Sequence, residues 1–309
     1  MDSLIQVVLP VFLVIGFGYA AVRFGLFEDT FVDGLMKFTQ NFAIPCLLFT
    51  AVSELDLRQS FDWRLLISYY AGSATVYLLG IFGARYIFDR SWEASVAIGF
   101  CALYANSVLV GLPITERAFG PESLDPNYAI VAIHAPFCFT LGMTAMAMAQ
   151  SRGRSGLALT SAVLKAIFKN ALMIGLLLGF AVNLGNITLP QPVLDAVGFM
   201  ERAAIPAALF ALGGVLVRYR IDADLKEVAF ICVLSLLVHP AIVYGLGTEV
   251  TGITDAQLRS AIVTASMAPG VNTYIFANMY GVALRVSASS VLIGTAASIL
   301  TTSAWLLLI

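Results

Sequence analysis

The chain has 309 residues, 60% of them hydrophobic and only 12% charged, with a mean hydropathy of +0.90. Soluble domains carry about 25% charged residues, so a soluble enzyme or binding module is excluded. A formal net charge of −2 and the lack of any basic run exclude a nucleic-acid partner.

A helix that crosses a bilayer needs about 20 mostly apolar residues. Ten such stretches follow one another: 4–22, 31–52, 65–88, 92–119 and 128–150, then 161–183, 193–217, 226–248, 256–280 and 286–308. The first begins after Asp2 with no basic residue ahead of it, so it reads as a span rather than a cleaved leader. The connections are short. The most polar, SRGRSG at 151–156, separates a first half (1–150) from a second (161–309), with 151–160 as a cytoplasmic link. Odd-numbered connections hold eleven Lys and Arg against four in the even-numbered ones. That bias predicts odd connections in the cytoplasm and both termini on the other side. Cys46, Cys101, Cys138 and Cys232 lie in apolar segments at spacings that suit neither a disulfide framework nor a metal.

The halves repeat. GYA at 18–20 returns as GFA at 179–181, AIPCLLF at 43–49 as AIPAALF at 204–210, and AFG at 118–120 as MYG at 279–281, each at an offset of 161. Five spans per half is an odd number, so the second half enters the membrane from the opposite side. The fold class expected is an all-α membrane protein of ten transmembrane helices, arranged as two inverted five-helix repeats, a pattern typical of secondary transporters.

Span 9 contains MAPGVNTYIFANMYG at 267–281. Proline removes a backbone donor and glycine loosens the chain, so Pro269-Gly270 predicts a break near mid-span. Span 4, its repeat partner, reads CALYANSVLVGLPITERAFG, with Asn106, Gly111 and Pro113 near its middle. Non-helical backbone at that depth is tolerated only where protein or a water-lined cavity covers it. If helices 4 and 9 are broken and cross, four helix ends meet, and the N-terminal ends attract anions such as carboxylates. The substrate-binding set expected is Asn106, Ser107, Gly111, Pro113, Pro269, Gly270, Asn272 and Tyr274, with Tyr104 and Thr273 as further hydroxyl donors.

Asn106-x-x-x-x-Gly111-x-Pro113 in span 4, together with Ala268-Pro269 and Tyr280-Gly281 in span 9, resembles the auxin efflux carrier family, and the resemblance runs along essentially the whole chain. That family includes plant auxin exporters and bacterial permeases for malonate, malate and similar acids. The resemblance implies a scaffold of spans 1, 2, 6 and 7 and a transport domain of spans 3–5 and 8–10. It also implies substrate at the 4/9 crossover and a homodimer. The short central link resembles bacterial members, which implies the plasma (inner) membrane.

Ionisable groups inside spans are costly and mark function by default. Lys37, Glu201 and Arg202 sit at matched ends of spans 2 and 7, Gln40 and Asn41 lie on the turn before Pro45, and His134 lies in span 5. All are candidates for coupling or gating, as is His239 in span 8, since histidine exchanges protons near neutral pH. Asp89, Arg90 and Glu93 read as a solvated cluster at the membrane edge. No HExxH, GxSxG or Walker-type loop is present, so no catalytic residue, metal or cofactor is expected.

These readings converge on a secondary-active transporter of small organic anions (carboxylates such as malonate, malate or auxin-like acids) working by alternating access in the lipid bilayer. H+ or Na+ is the candidate co-substrate. The alternatives are a Na+- or H+-coupled carrier or antiporter of another solute, and a membrane ligand-sensing receptor. Spans 4 and 9 lack the acidic pair expected of a Na+/H+ exchanger, Glu116 near one end excepted, and the chain shows no sizeable cytoplasmic output region.

Overall fold

The computed structural model describes residues 2–57, 61–150, 171–219 and 224–309. The link at 151–160, the first part of predicted span 6 with Lys165 and Lys169, and Arg58 and Arg220 lie outside the described residues. Among the described residues twelve α-helices follow in order: α1 Asp2–Arg23, α2 Asp29–Glu54, α3 Trp63–Tyr86, α4 Trp92–Leu103, α5 Leu112–Phe119, α6 Asp125–Ala149, α7 Ala171–Leu184, α8 Gln191–Arg218, α9 Leu225–Thr251, α10 Asp255–Ala265, α11 Val271–Tyr280 and α12 Leu284–Leu308.

Seven of them (α1, α2, α3, α6, α8, α9 and α12) are long and apolar enough to cross a membrane, and α4 and α7 are shorter apolar helices. The ten predicted spans therefore do not appear as ten unbroken helices. Predicted span 4 is α4 plus α5, span 9 is α10 plus α11, and span 6 is described only from Ala171.

Helix starts follow local chemistry. Asp62 accepts from the Arg64 amide at 2.8 Å to open α3, and Asp224 accepts from the Lys226 amide at 2.9 Å to open α9. At α10, Thr254 and Gln257 cap each other reciprocally, at 3.3 and 3.0 Å. The prolines divide into two groups. Pro45, Pro113 and Pro240 are each the second residue after a wide π-turn, at Thr39–Ala43, Ser107–Gly111 and Leu234–Val238. Proline cannot donate to the i−4 carbonyl and its ring crowds that group, and a locally widened turn relieves both. Pro10, Pro136 and Pro206 instead lie inside continuous α-helix.

The chain forms two compact units. The smaller comprises Leu9–Ser60 and Leu164–Arg218, and so carries most of α1 with α2, α7 and α8. Its helices touch backbone to backbone through the repeated motifs. A Cβ at Gly18 would stand 1.9 Å from the Phe210 carbonyl oxygen, and one at Gly179 would stand 2.8 Å from that of Phe49. Gly18 and Gly179, and likewise Phe49 and Phe210, are the pairs that the offset of 161 relates. Each motif's glycine thus packs on the other half's phenylalanine carbonyl, the close approach that small residues permit between membrane helices.

The larger unit comprises Met1–Val8, Phe61–Val163 and Tyr219–Ile309. One of its cores joins Leu65, Tyr69 and Tyr70 of α3 to Ile130 of α6, Val243 of α9, and Ala261, Ile262 and Ala265 of α10. The third repeated motif closes α5 and α11. Gly120 and Gly281 both end their helices at positive φ, +87° and +67°, where a side chain would be strained.

The predicted membrane-edge cluster needs correcting. Asp89 is exposed and pairs with Arg85 at 3.3 Å, but Arg90 reaches across to Glu227 of α9, whose side chain is only 2% exposed. A buried carboxylate must be paired, and Arg90 supplies the partner with two parallel hydrogen bonds.

Candidate functional site

The two helix breaks meet. Between α4 and the turn that leads to α5, residues 104–106 run extended, and between α10 and α11 so do residues 268–270. They lie antiparallel, with Ala105 opposite Pro269, and this is the one extended pairing among the described residues. The Asn106 amide donates to the Ala268 carbonyl and the Gly270 amide to the Tyr104 carbonyl, both at 2.9 Å. Each break therefore satisfies the other's backbone, as chain buried in an apolar protein must.

From this crossing two helical runs start. Asn106 caps the first, its carbonyl accepting from the amides of Val110 and Gly111 at 3.2 Å. Gly270 caps the second, its carbonyl accepting from the Thr273 amide at 3.0 Å and from the Thr273 hydroxyl at 2.8 Å. The first-turn N–H groups of a helix have no intrahelical acceptor and carry the positive end of its dipole. Two amide side chains stand among them. Asn106 is 6% exposed and its Nδ2 has no hydrogen-bond partner among the described residues. Asn272 Nδ2 donates to the Tyr104 hydroxyl at 3.0 Å.

The crossing gathers Asn106, Ser107, Pro269, Gly270 and Asn272. Gly111 and Pro113 lie further along the run that Asn106 opens, where Gly111 closes the π-turn and Pro113 stands in the first turn of α5. They shape the helix after the break rather than making it. Tyr274 packs its ring against that of Tyr219, tilted at 46° with 5.2 Å between centroids. His134, which is buried, packs its ring 4.8 Å from that of Tyr104.

The other coupling candidates belong to the smaller unit. Lys37, Gln40 and Asn41 are on α2, the first and last of them exposed. On α8, Arg202 is exposed and lies over the Phe199 ring at 5.7 Å, while Glu201 faces Cys46. Sequence reading missed Tyr69 and Ser73. Both are buried, and with Tyr77 they fall at i, i+4 and i+8 of α3, a polar stripe on an apolar helix that was there to be read.

A buried crossing of two interrupted helices, lined with amides and helix N-termini, inside a chain of apolar spans is the architecture of a membrane transporter. The chain belongs to the family described as Membrane transport protein, the auxin efflux carrier family, which matches residues 3–306. It is 25% identical over 314 residues to the "Putative malonate transporter" of Rhizobium meliloti, covering 100% of this chain and 97% of that protein. It is 20% identical over 339 residues to auxin efflux carrier component 5 of Arabidopsis thaliana, covering 96% and 94%. A third relative, the lysosomal cholesterol signaling protein of Mus musculus, is 24% identical over 334 residues, which span 99% of this chain but 38% of that protein. The protein is therefore a multi-pass membrane transporter and not an enzyme.

Proposed function

We propose that the protein is a secondary-active carrier of small organic anions, with a carboxylate held at the crossing of the two broken helices. One observation carries this reading: the buried Asn106 Nδ2, a donor without a partner among the described residues, stands at a helix N-terminus beside a second amide. Such an arrangement suits an anion, because amide donors and dipole ends stabilise negative charge without a resident cation. In this reading the larger unit is the transport domain and the smaller is the scaffold of an alternating-access cycle. The ten spans form two inverted repeats in the plasma membrane, with both termini outside. The exchange of contacts between Gly18–Phe210 and Gly179–Phe49 supports the repeat. A malonate transporter among the relatives makes malonate the first ligand to try.

The test is a thermal-shift titration of the purified protein with malonate, malate, indole acetate and Na+, repeated on Asn106→Ala and Asn272→Ala. A hydrogen bond to a charged group contributes about 1.5–3 kcal/mol, so each variant should bind the stabilising acid roughly 10- to 150-fold more weakly. Both variants binding it as the wild type does would sink the crossing as the site. A response to Na+ and to none of the acids would instead favour a cation-coupled carrier of another solute.

A further inference from the structure

A second buried polar assembly begins where the crossing ends. Tyr104, whose hydroxyl takes the Asn272 hydrogen bond, faces His134 at 4.8 Å between ring centroids. His134 faces Tyr69 at 6.0 Å, Tyr69 faces His239 at 5.2 Å, and His239 Nε2 lies 3.0 Å from Ser73 Oγ. All five side chains are buried, and the series runs from the crossing through α6 and α3 to α9.

Hydrogen-bond counting identifies the tautomer at its far end. A serine hydroxyl has one hydrogen, and that of Ser73 donates to the Tyr69 carbonyl at 3.0 Å. Towards His239 it can only accept, so Nε2 carries the ring hydrogen and Nδ1 is a bare lone pair. Nδ1 is buried without a partner among the described residues, and so is the hydroxyl of Tyr69, the ring beside it. A buried acceptor and a buried donor left open side by side call for something bound. The surrounding backbone is firmly held: the π-turn ends at Val238, and Trp305 Nε1 takes the Leu236 carbonyl, which Pro240 cannot use, at 2.9 Å.

The titratable groups facing the two imidazoles are Tyr69 and Tyr70 of α3, Tyr104, and Cys138 of α6, whose Sγ is 3.8 Å from His134 Nδ1. Cys101 of α4 is turned to Ser287. The charged residues of the helices packed on α6 and α9, namely Arg64 and Arg85 of α3, Glu93 of α4, Asp255 and Arg259 of α10 and Arg285 of α12, stand near the ends of their helices, and no carboxylate acts on either ring. A positive charge here has no resident counter-charge.

We propose that His239, through Nδ1, is the proton-binding site of this transporter, linked to the crossing by Tyr69, His134 and Tyr104, so that a proton enters with each carboxylate. A proton from water adds to the Nδ1 lone pair, Nε2–H stays on Ser73, and release returns the proton to water. The bound carboxylate is the missing counter-charge, so anion and proton favour each other's binding. The inference rests on the carboxylate reading of the crossing.

The chain has two histidines, so nitrogen NMR of the full-length protein labelled at histidine resolves both, with His134→Gln giving the assignment. His239 should gain its proton at a pH about one unit higher with malonate bound than without it. By linkage, malonate then binds about tenfold more tightly below both midpoints than above them, and this advantage is lost as pH rises through the malonate-bound midpoint. His239 staying neutral at every pH at which the protein remains folded, with and without malonate, overturns the proposal. If His239 titrates at a midpoint unmoved by malonate, while Asn106→Ala still weakens malonate binding, the coupling falls and the crossing stands. If the wild type binds no acid yet His239 titrates, the carboxylate reading fails and the proton site remains.

Discussion

Gly18→Leu is expected to destabilise the protein severely, while Gly16→Leu, two residues away on α1, leaves it intact. Two residues turn a helix by about 200°, so the positions point in opposite directions. At Gly16 an added Cβ meets nothing within 4 Å. At Gly18 it would lie 1.9 Å from the carbonyl oxygen of Phe210 and 2.8 Å from its carbon. Leucine is the better helix former by roughly 1 kcal/mol at either site, and that gain is all Gly16→Leu changes. At Gly18 the obstacle is main chain, which cannot rotate aside. Overpacking against movable side chains already costs about 1–3 kcal/mol, so the loss here should exceed about 3 kcal/mol as α1 separates from α8. Gly179→Leu meets the Phe49 oxygen at 2.8 Å and should fall between the two. Thermal unfolding of the three variants in one detergent decides it. Gly18→Leu melting with Gly16→Leu would mean that the α1–α8 contact is not held by backbone proximity.

That ranking was partly legible before any coordinates. The repeat at an offset of 161 picked out Gly18, Gly179, Phe49 and Phe210, because packing that recurs in each half leaves matching short motifs. It also picked out Gly120 and Gly281, whose positive φ demands glycine-like backbone. The break in span 9 was readable at Pro269-Gly270 for the same kind of reason, since the residues that interrupt the helix are the signal. The break in span 4 was harder. Gly111 and Pro113 advertise a disturbance, but a widened turn absorbs it, and the chain opens earlier, at Tyr104–Asn106, where no glycine or proline stands. What holds it open is the pairing of Ala105 with Pro269, a long-range contact without a local mark. The His239 tautomer is of the same kind, because it depends on where Ser73 sends its one hydrogen.

Arg90→Ala is expected to cost about 3 kcal/mol, and removing Glu227 as well should restore most of it. Reading Arg90 as one of several solvated charges would predict almost nothing, since exposed ion pairs contribute at most about 1 kcal/mol. The structure makes the pair asymmetric: the arginine side chain is 44% exposed and the glutamate 2%. Hydrogen bonding to Glu227 holds the guanidinium more firmly in its charged form than an isolated arginine. The loop fixes the fork, with Arg85 Nη1 donating to the Arg90 carbonyl at 2.9 Å and the Arg90 amide donating to the Ala84 carbonyl at 3.1 Å. Truncating the arginine strands a buried carboxylate, which costs about 3–5 kcal/mol when a buried pair is broken. The low end applies here because water can follow into the space of a half-exposed side chain. Arg90→Ala with Glu227→Leu removes the stranded charge and should recover stability. Arg90→Lys keeps the charge without the two-pronged fit and should fall between. Thermal unfolding of the wild type, Arg90→Ala, Glu227→Leu and the double variant closes the cycle, and a double variant no more stable than Arg90→Ala would defeat the account. Because Glu227 opens the helix that carries His239, malonate affinity measured on folded Arg90→Ala separates two roles for the clasp. Unchanged affinity is expected, which would make it a fastening of the larger unit. A weakened one would mean that the start of α9 also sets the position of His239.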